Sequence, residues 1–285
     1  MVNPQHEALI RFANVELGYM LTENEKPRYT IDPEEGFISS GSFGKVYMGY
    51  DHANSGRRVA IKIGDHRNPM LQRLFQRETE IFRKHPHENI IEIYDHHVSA
   101  TGKPVLVMEY LPFSLANKLA EEKLSLEKTI GYIEPACKAV DHLHEKDIIH
   151  RNIKPSNILI GEDGTVKLSD LGQAGFSGTV STVKGTQSYR APEGFPAHGR
   201  FYPESDIYSI AVITFEALTG TRPFRGEPDK LEQRESLEHT KGQCREAGFS
   251  DELTRVLTKG MHPDHTKRYH SGREYVEALK GLKEK

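Results

Sequence analysis

From Tyr29 to Leu111 the chain alternates. GFISSGSFGKVYMGYD and RRVAIKIGD carry alternating or β-branched runs, the texture of strands. The polar HANSG between them, His52 to Gly56, has turn chemistry, so the two runs are expected to pair as a hairpin. NIIEIYDHHV and KPVLVMEYL read as two further strands. One helix interrupts the series. Asn68 is placed at its N-cap and Pro69 at its first position, and Leu71, Leu74, Phe75, Glu78 and Phe82 fall on related faces of it.

Beyond Leu111 the period becomes helical. SLEKTIGYIEPACKAVDHLHEK carries Ile130, Ile133, Val140 and Leu143. Ser125 can cap its start, and Glu127 suits the positive end of the helix. Pro135 inside this pattern predicts a kink or a break. ESDIYSIAVITFEALTG is almost continuously apolar, which predicts a buried helix ending near Gly220. SDELTRVLTKGM and GREYVEALKGL read as amphipathic helices. Upstream, residues 1–28 read as an extension: EALIRFANVEL has helical apolar spacing before the polar TENEKPR, and a helix packed on the main body is expected. The fold class is therefore α+β, with a mostly antiparallel sheet and one long helix first and a mainly helical half after it.

Composition narrows the partners. The 285 residues are 36% hydrophobic and 28% charged, with a formal net charge of -3. That suits a soluble chain forming one large domain or two lobes. It offers no broad attraction to nucleic acid or to an anionic membrane. No stretch approaches the roughly 20 apolar residues of a membrane helix, and the N-terminus lacks the pattern of a secretory signal. The two cysteines, Cys137 and Cys244, are far apart, which points to a reducing compartment, and a cytoplasmic location is expected. Fifteen histidines are scattered; neither HPHEN nor DHHVS has metal-ligand spacing.

Several short segments carry candidate chemistry. SSGSFGKV places Gly41 and Gly44 between two strands, where backbone N–H groups can approach phosphate oxygens. VAIK sets Lys62 on an otherwise apolar strand, at an edge or aimed into a cleft. Glu78, on the helix, can meet that lysine if the helix packs over the sheet. HRNIKPSN presents Asn152, Lys154 and Asn157 from one short loop. KLSDLG puts Asp170 at a strand end, as a hard oxygen ligand suited to Mg²⁺. GTQSYRAPE precedes the buried helix. Each segment alone also fits something ordinary: a tight turn, an edge lysine, a solvated glutamate, a loop.

Their order and spacing do not fit chance. SSGSFGKV, VAIK, Glu78, VMEY, HRNIKPSN, DLG, GTQSYRAPE, Asp206 in SDIYS and Arg268 in HTKRYHS together resemble the eukaryotic-type protein kinase family over roughly residues 29–280. Lys154 and the KPSN form resemble its serine/threonine branch. The resemblance implies a bilobal fold, with an extension at 1–28, an N-lobe with its hinge at 29–111 and a C-lobe at 112–285. It implies ATP and Mg²⁺ as cofactors and a protein substrate. Gly41, Gly44, Val46 and Ala60 would enclose the nucleotide, and Lys62, held by Glu78, would bind its α- and β-phosphates. Met108 would be the gatekeeper, with Glu109 to Leu111 as the hinge. Asn157 and Asp170 would hold the metal and Lys154 the γ-phosphate. Thr186 would line the peptide-hydroxyl site, and Glu193 with Arg268 would form a structural ion pair. Arg151 would read a phosphate on Thr182, with Ser181 and Thr179 as competitors.

The chain departs from the family at three positions. Ser39 replaces the first glycine of the loop, which implies slightly altered nucleotide affinity. Leu171 replaces a phenylalanine and can fill the same apolar slot. Asn152 stands where the family has an aspartate that accepts the hydroxyl proton. A carboxamide cannot do so near neutral pH, which forfeits roughly 10²- to 10⁴-fold in rate. The completeness of Lys62, Glu78, Lys154, Asn157 and Asp170 favours an inactive Asp-to-Asn variant of a working kinase. The alternative is a natural pseudokinase acting as a scaffold or switch. A small-molecule phosphotransferase ranks lower, because the GT…APE segment builds a peptide platform. A partner or regulatory protein has a candidate docking region in RGEPDKLEQRESLEHTKGQCREAG, whose blander reading is a solvated face.

Overall fold

Alternation in the first half becomes a sheet. The computed structural model describes residues 13, 17, 27–34, 36–41, 44–64, 69–99, 101–179, 188–195, 199–224, 234 and 236–282. The chain divides into two compact units, one of residues 1–86 and 91–111, the other of residues 87–90 and 112–285.

In the first unit, strands β1 (Tyr29–Ile31), β2 (Phe37–Gly41), β3 (Gly44–Asp51), β4 (Arg57–Ile63), β5 (Ile93–Val98) and β6 (Pro104–Glu109) form one antiparallel sheet. Its order is β1-β3-β4-β6-β5, with β2 on β3. Helix α1 (Pro69–Lys84) begins at the proline, as expected. The proposed cap Asn68 lies outside the described residues, as do the side chains of Leu71 and Leu74.

Register sorts the side chains. Val46 faces Lys62, which faces Leu106, and Met48 faces Ala60, which faces Met108. Directly paired residues of an antiparallel sheet share a face, so these six lie on one side. Tyr47, Val59, Ile61, Ile63, Val105 and Val107 lie on the other. That second face is covered by Ala13 and Leu17, both helical, 0% and 1% exposed. Both residues belong to the core of this unit, so the expected packing of the N-terminal segment is observed at these two positions. Nearby, the buried Asp51 accepts from Arg28 Nε at 3.3 Å and Asn54 Nδ2 at 2.6 Å. Arg28 also reaches Asp95 at 3.1 Å, which pins the entry of the chain to two strands.

The second unit holds the short strands β7 (Phe113–Ser114), β8 (Ile148–Ile149), β9 (Ile158–Ile160), β10 (Val166–Leu168) and β11 (Gly175–Phe176), paired as β10-β9-β7 and β11-β8. Its helices are α2 (Leu115–Glu121), α3 (Leu126–His144), α4 (Pro203–Thr219), α5 (Leu237–Glu246), α6 (Asp251–Gly260) and α7 (Gly272–Lys280). Ser125 caps α3 by accepting from the Lys128 amide at 3.2 Å. Gly220 ends α4 at φ +74, a left-handed position that suits glycine.

Two expectations need correction. Helix α3 runs through Pro135 without the break that was one of the two outcomes expected there. Thr129 and Ile133 before the proline and Ala136, Cys137, Ala139, Val140 and Leu143 after it are all buried, so packing on both sides holds the helix across the missing hydrogen bond. The polar segment around α5 is not simply a solvated face either: Arg234, Thr240 and Cys244 are buried, at 3%, 0% and 0% exposure.

Candidate functional site

In the first unit the β3–β4 hairpin sets the geometry. Gly44 has φ +142, and a Cβ there would lie 2.3 Å from the Ile63 carbonyl oxygen. Only glycine permits so close an approach of β3 to the end of β4. Lys62, projecting from the face shared with Val46, Ala60 and Met108, is 7% exposed. Helix α1 brings Glu78, 2% exposed, over it, and Lys62 Nζ donates to both carboxylate oxygens at 2.9 and 2.7 Å. A buried charge is tolerated only when paired in this way. The lysine is thus neither an edge residue nor solvated. At the end of β6 the Glu109 amide donates to the Glu92 carbonyl at 2.9 Å, and Leu111 is buried.

In the second unit a different set converges. The wholly buried His150 and its neighbour Arg151 donate their backbone amides to Asp206, at 2.8 and 2.9 Å. The His144 ring bonds the same carboxylate at 2.9 Å. Burial by itself would raise the Asp206 carboxyl; the His144 hydrogen bond and neighbouring charges outweigh it and hold it below the usual aspartate range. Asp206 on α4 therefore fixes the start of the loop that follows β8. Arg151 and Asp170 have φ of +68 and +64, conformations that cost energy for residues with a Cβ and persist where surroundings enforce them.

The loop side chains meet at Asp170. Asn152 and Asn157 are each 6% exposed. Asn152 Nδ2 donates to Asp170 Oδ2 at 2.9 Å, and Asn157 Nδ2 lies 3.4 Å from the same oxygen. Asn157 Nδ2 also donates to the Asn152 carbonyl at 2.8 Å. The Asn157 carboxamide oxygen and the Asp170 carboxylate are hard oxygen donors of the kind that could hold Mg²⁺. Among the described residues no group of three or more His, Cys, Asp or Glu could hold a metal ion. Lys154 is half-buried in the same loop, and Leu171 is buried at 1% exposure.

Arg268 and Glu193 pair end-on, Nη1 to Oε1 at 2.7 Å and Nη2 to Oε2 at 2.8 Å. Thr179 is exposed; its hydroxyl donates to the Phe176 carbonyl at 2.6 Å and accepts from Arg151 Nη2. Ser181, Thr182 and Thr186 lie outside the described residues.

Sequence reasoning missed Arg234. Its guanidinium donates to the carbonyls of Ser188 at 2.8 Å and Arg190 at 3.0 Å. It also sits 4.7 Å from the ring centre of Phe224. The carbonyl between them, on Tyr189, is taken by Ser209 Oγ at 2.9 Å. Three successive carbonyls before the Ala-Pro-Glu run are thus held by side chains. No local signal marks an arginine in a polar run as buried.

A family model for the protein kinase domain matches residues 34–278. The chain is 33% identical over 243 residues to CBL-interacting protein kinase 14 of Oryza sativa subsp. japonica, covering 81% of this chain and 54% of that one. It is 32% identical over 243 residues to CBL-interacting serine/threonine-protein kinase 2 of Arabidopsis thaliana, covering 81% and 52%. It is 35% identical over 206 residues to the hormonally up-regulated neu tumor-associated kinase of Homo sapiens, covering 68% and 28%. The chain spans about half the length, or less, of these curated relatives. With the matched segment covering nearly all of its ordered elements, the chain belongs to the eukaryotic-type protein kinase family, on the serine/threonine branch.

Proposed function

We propose that this chain is a serine/threonine protein kinase domain that binds ATP with Mg²⁺, and that Asn152 impairs its transfer of the γ-phosphate to a protein hydroxyl. The observation that carries the reading is the buried Lys62–Glu78 pair, closed at 2.7 and 2.9 Å on the sheet face that also bears Val46, Ala60 and Met108. A lysine so held offers a cation to the α- and β-phosphates. The oxygens of Asp170 and Asn157 suit the accompanying metal ion, and Lys154 is the group assigned to the γ-phosphate. Asn152 occupies the proton acceptor's place, yet its amide donates to Asp170. The general-base contribution of about 10²- to 10⁴-fold is therefore lost, while the groups that grip the nucleotide remain. A protein substrate would meet the segment around Thr186. A regulatory protein is the partner class for the second unit, by analogy with relatives named as CBL-interacting. The free, buried Cys137 and Cys244 support a reducing, cytoplasmic setting.

A second reading, a nucleotide-binding scaffold without transfer, draws support from the Asn152–Asp170 hydrogen bond, which gives the asparagine a partner of its own. The Asn152→Asp variant separates the two. Incubated with ATP, Mg²⁺ and a generic basic protein, it should show transfer about 10²- to 10⁴-fold above the unchanged chain by mass spectrometry. Bound ATP without any gain in transfer would favour the scaffold.

A further inference from the structure

We propose that Asn152 does part of what a divalent cation would otherwise do: its amide holds the Asp170 carboxylate, so that nucleotide binding by this chain depends only weakly on Mg²⁺. The inference rests on the nucleotide-binding reading above. Two carboxamides point at one carboxylate oxygen, Asn152 Nδ2 at 2.9 Å and Asn157 Nδ2 at 3.4 Å from Asp170 Oδ2. Both asparagines are 6% exposed, so water competes poorly for these donors, and a hydrogen bond to an ionised acceptor is among the stronger ones. The Asp170 backbone sits in the left-handed region at φ +64, a conformation that persists where surroundings enforce it.

A carboxylate at position 152 would invert this relationship. Acceptor would face acceptor and like charge would face like charge, an unfavourable arrangement that a cation between them relieves. In this chain a neutral donor already fills that role. It also removes one negative charge from the neighbourhood in which the terminal phosphate oxygens would lie. The cation then has less left to contribute, both to ordering Asp170 and to screening the triphosphate. Asn152 is thus a positioning residue that acts through Asp170.

The test compares the chain with its Asn152→Asp and Asn152→Ala variants. Thermal unfolding with Mg²⁺ alone should raise the midpoint of Asn152→Asp and leave that of the unchanged chain in place. ATP affinity, read by calorimetry in Mg²⁺ and in EDTA, should fall on metal removal about tenfold more in Asn152→Asp than in the unchanged chain. Asn152→Ala is neutral but has no donor. It should lose about tenfold in metal-free ATP affinity relative to the unchanged chain, whereas a pure charge effect would leave the two equal. Should the alanine variant not fold, the comparison with Mg²⁺ alone still decides. ATP binding with equal metal dependence in Asn152→Asp and the unchanged chain overturns the inference and spares the kinase reading. If neither binds ATP in Mg²⁺, both fall.

Discussion

Arg268 grips Glu193 with both arms of its guanidinium, at 2.7 and 2.8 Å, and places its remaining N–H groups on the carbonyls of His262, Glu204 and Pro263 at 2.7, 3.0 and 3.1 Å. All five donors of a side chain with no solvent exposure are thereby satisfied. Lysine has three donors and no planar fork, so Arg268→Lys is not conservative here. Breaking such a buried pair costs about 3–5 kcal/mol. Both Arg268→Lys and Arg268→Ala should therefore lower the denaturant midpoint substantially.

The same pair predicts a pH dependence. Burial alone would raise the Glu193 carboxyl, but the Arg268 hydrogen bonds and charge outweigh it and hold it below the usual glutamate range. A carboxyl lowered on folding contributes stability above its unfolded-chain pKa, and that contribution drains as pH falls through the lower folded value. Chemical denaturation should thus show the contribution intact down to about pH 4.3 and declining below it. Glu193→Gln should flatten that decline.

Lys62 and Glu78 are buried together, so removing one charge strands the other. Lys62→Met should destabilise the chain by about 3–5 kcal/mol. The double variant Lys62→Met/Glu78→Leu should recover much of that loss by replacing the pair with apolar groups. Both should weaken ATP binding. Unfolding midpoints and ATP titration check the two halves separately.

Thr179 already touches Arg151, which makes it the described candidate for a phosphate read by that arginine. Thr179→Glu, a stand-in for the phosphate's charge, should raise the unfolding midpoint, and Arg151→Ala should abolish the gain. A double-mutant cycle should give a coupling of about 0.5–3 kcal/mol.

Leu17 is 1% exposed and packs with Tyr47, Ile61 and Val107 on the sheet face opposite Lys62. Leu17→Ala should cost about 2–5 kcal/mol in a denaturant titration. Leu17→Asp, which places an unpaired charge in the same site, should cost more.

Periodicity and caps were readable because both are local. The two-residue alternation around Lys62 and the apolar run from Ile207 to Ala217 state which face is buried before any partner is known. Ser125 and Gly220 mark helix ends through chemistry that acts over three or four residues. Pro135 shows the limit of such reasoning: its local rule predicts a kink or a break, and no break occurs where buried residues lie on either side of it.

The order of residues was enough to set the succession of sheet and helices and the motif set. Which polar groups leave water, and whom they meet, emerges only on folding. Asn152 finds Asp170 eighteen residues on, and Arg268 finds Glu193 seventy-five residues back. Arg234, in a polar run, finds the Ser188 and Arg190 carbonyls beside the Phe224 ring. A buried charge or amide is stable only where distant parts of the chain supply its partners, so its place is a property of the folded molecule.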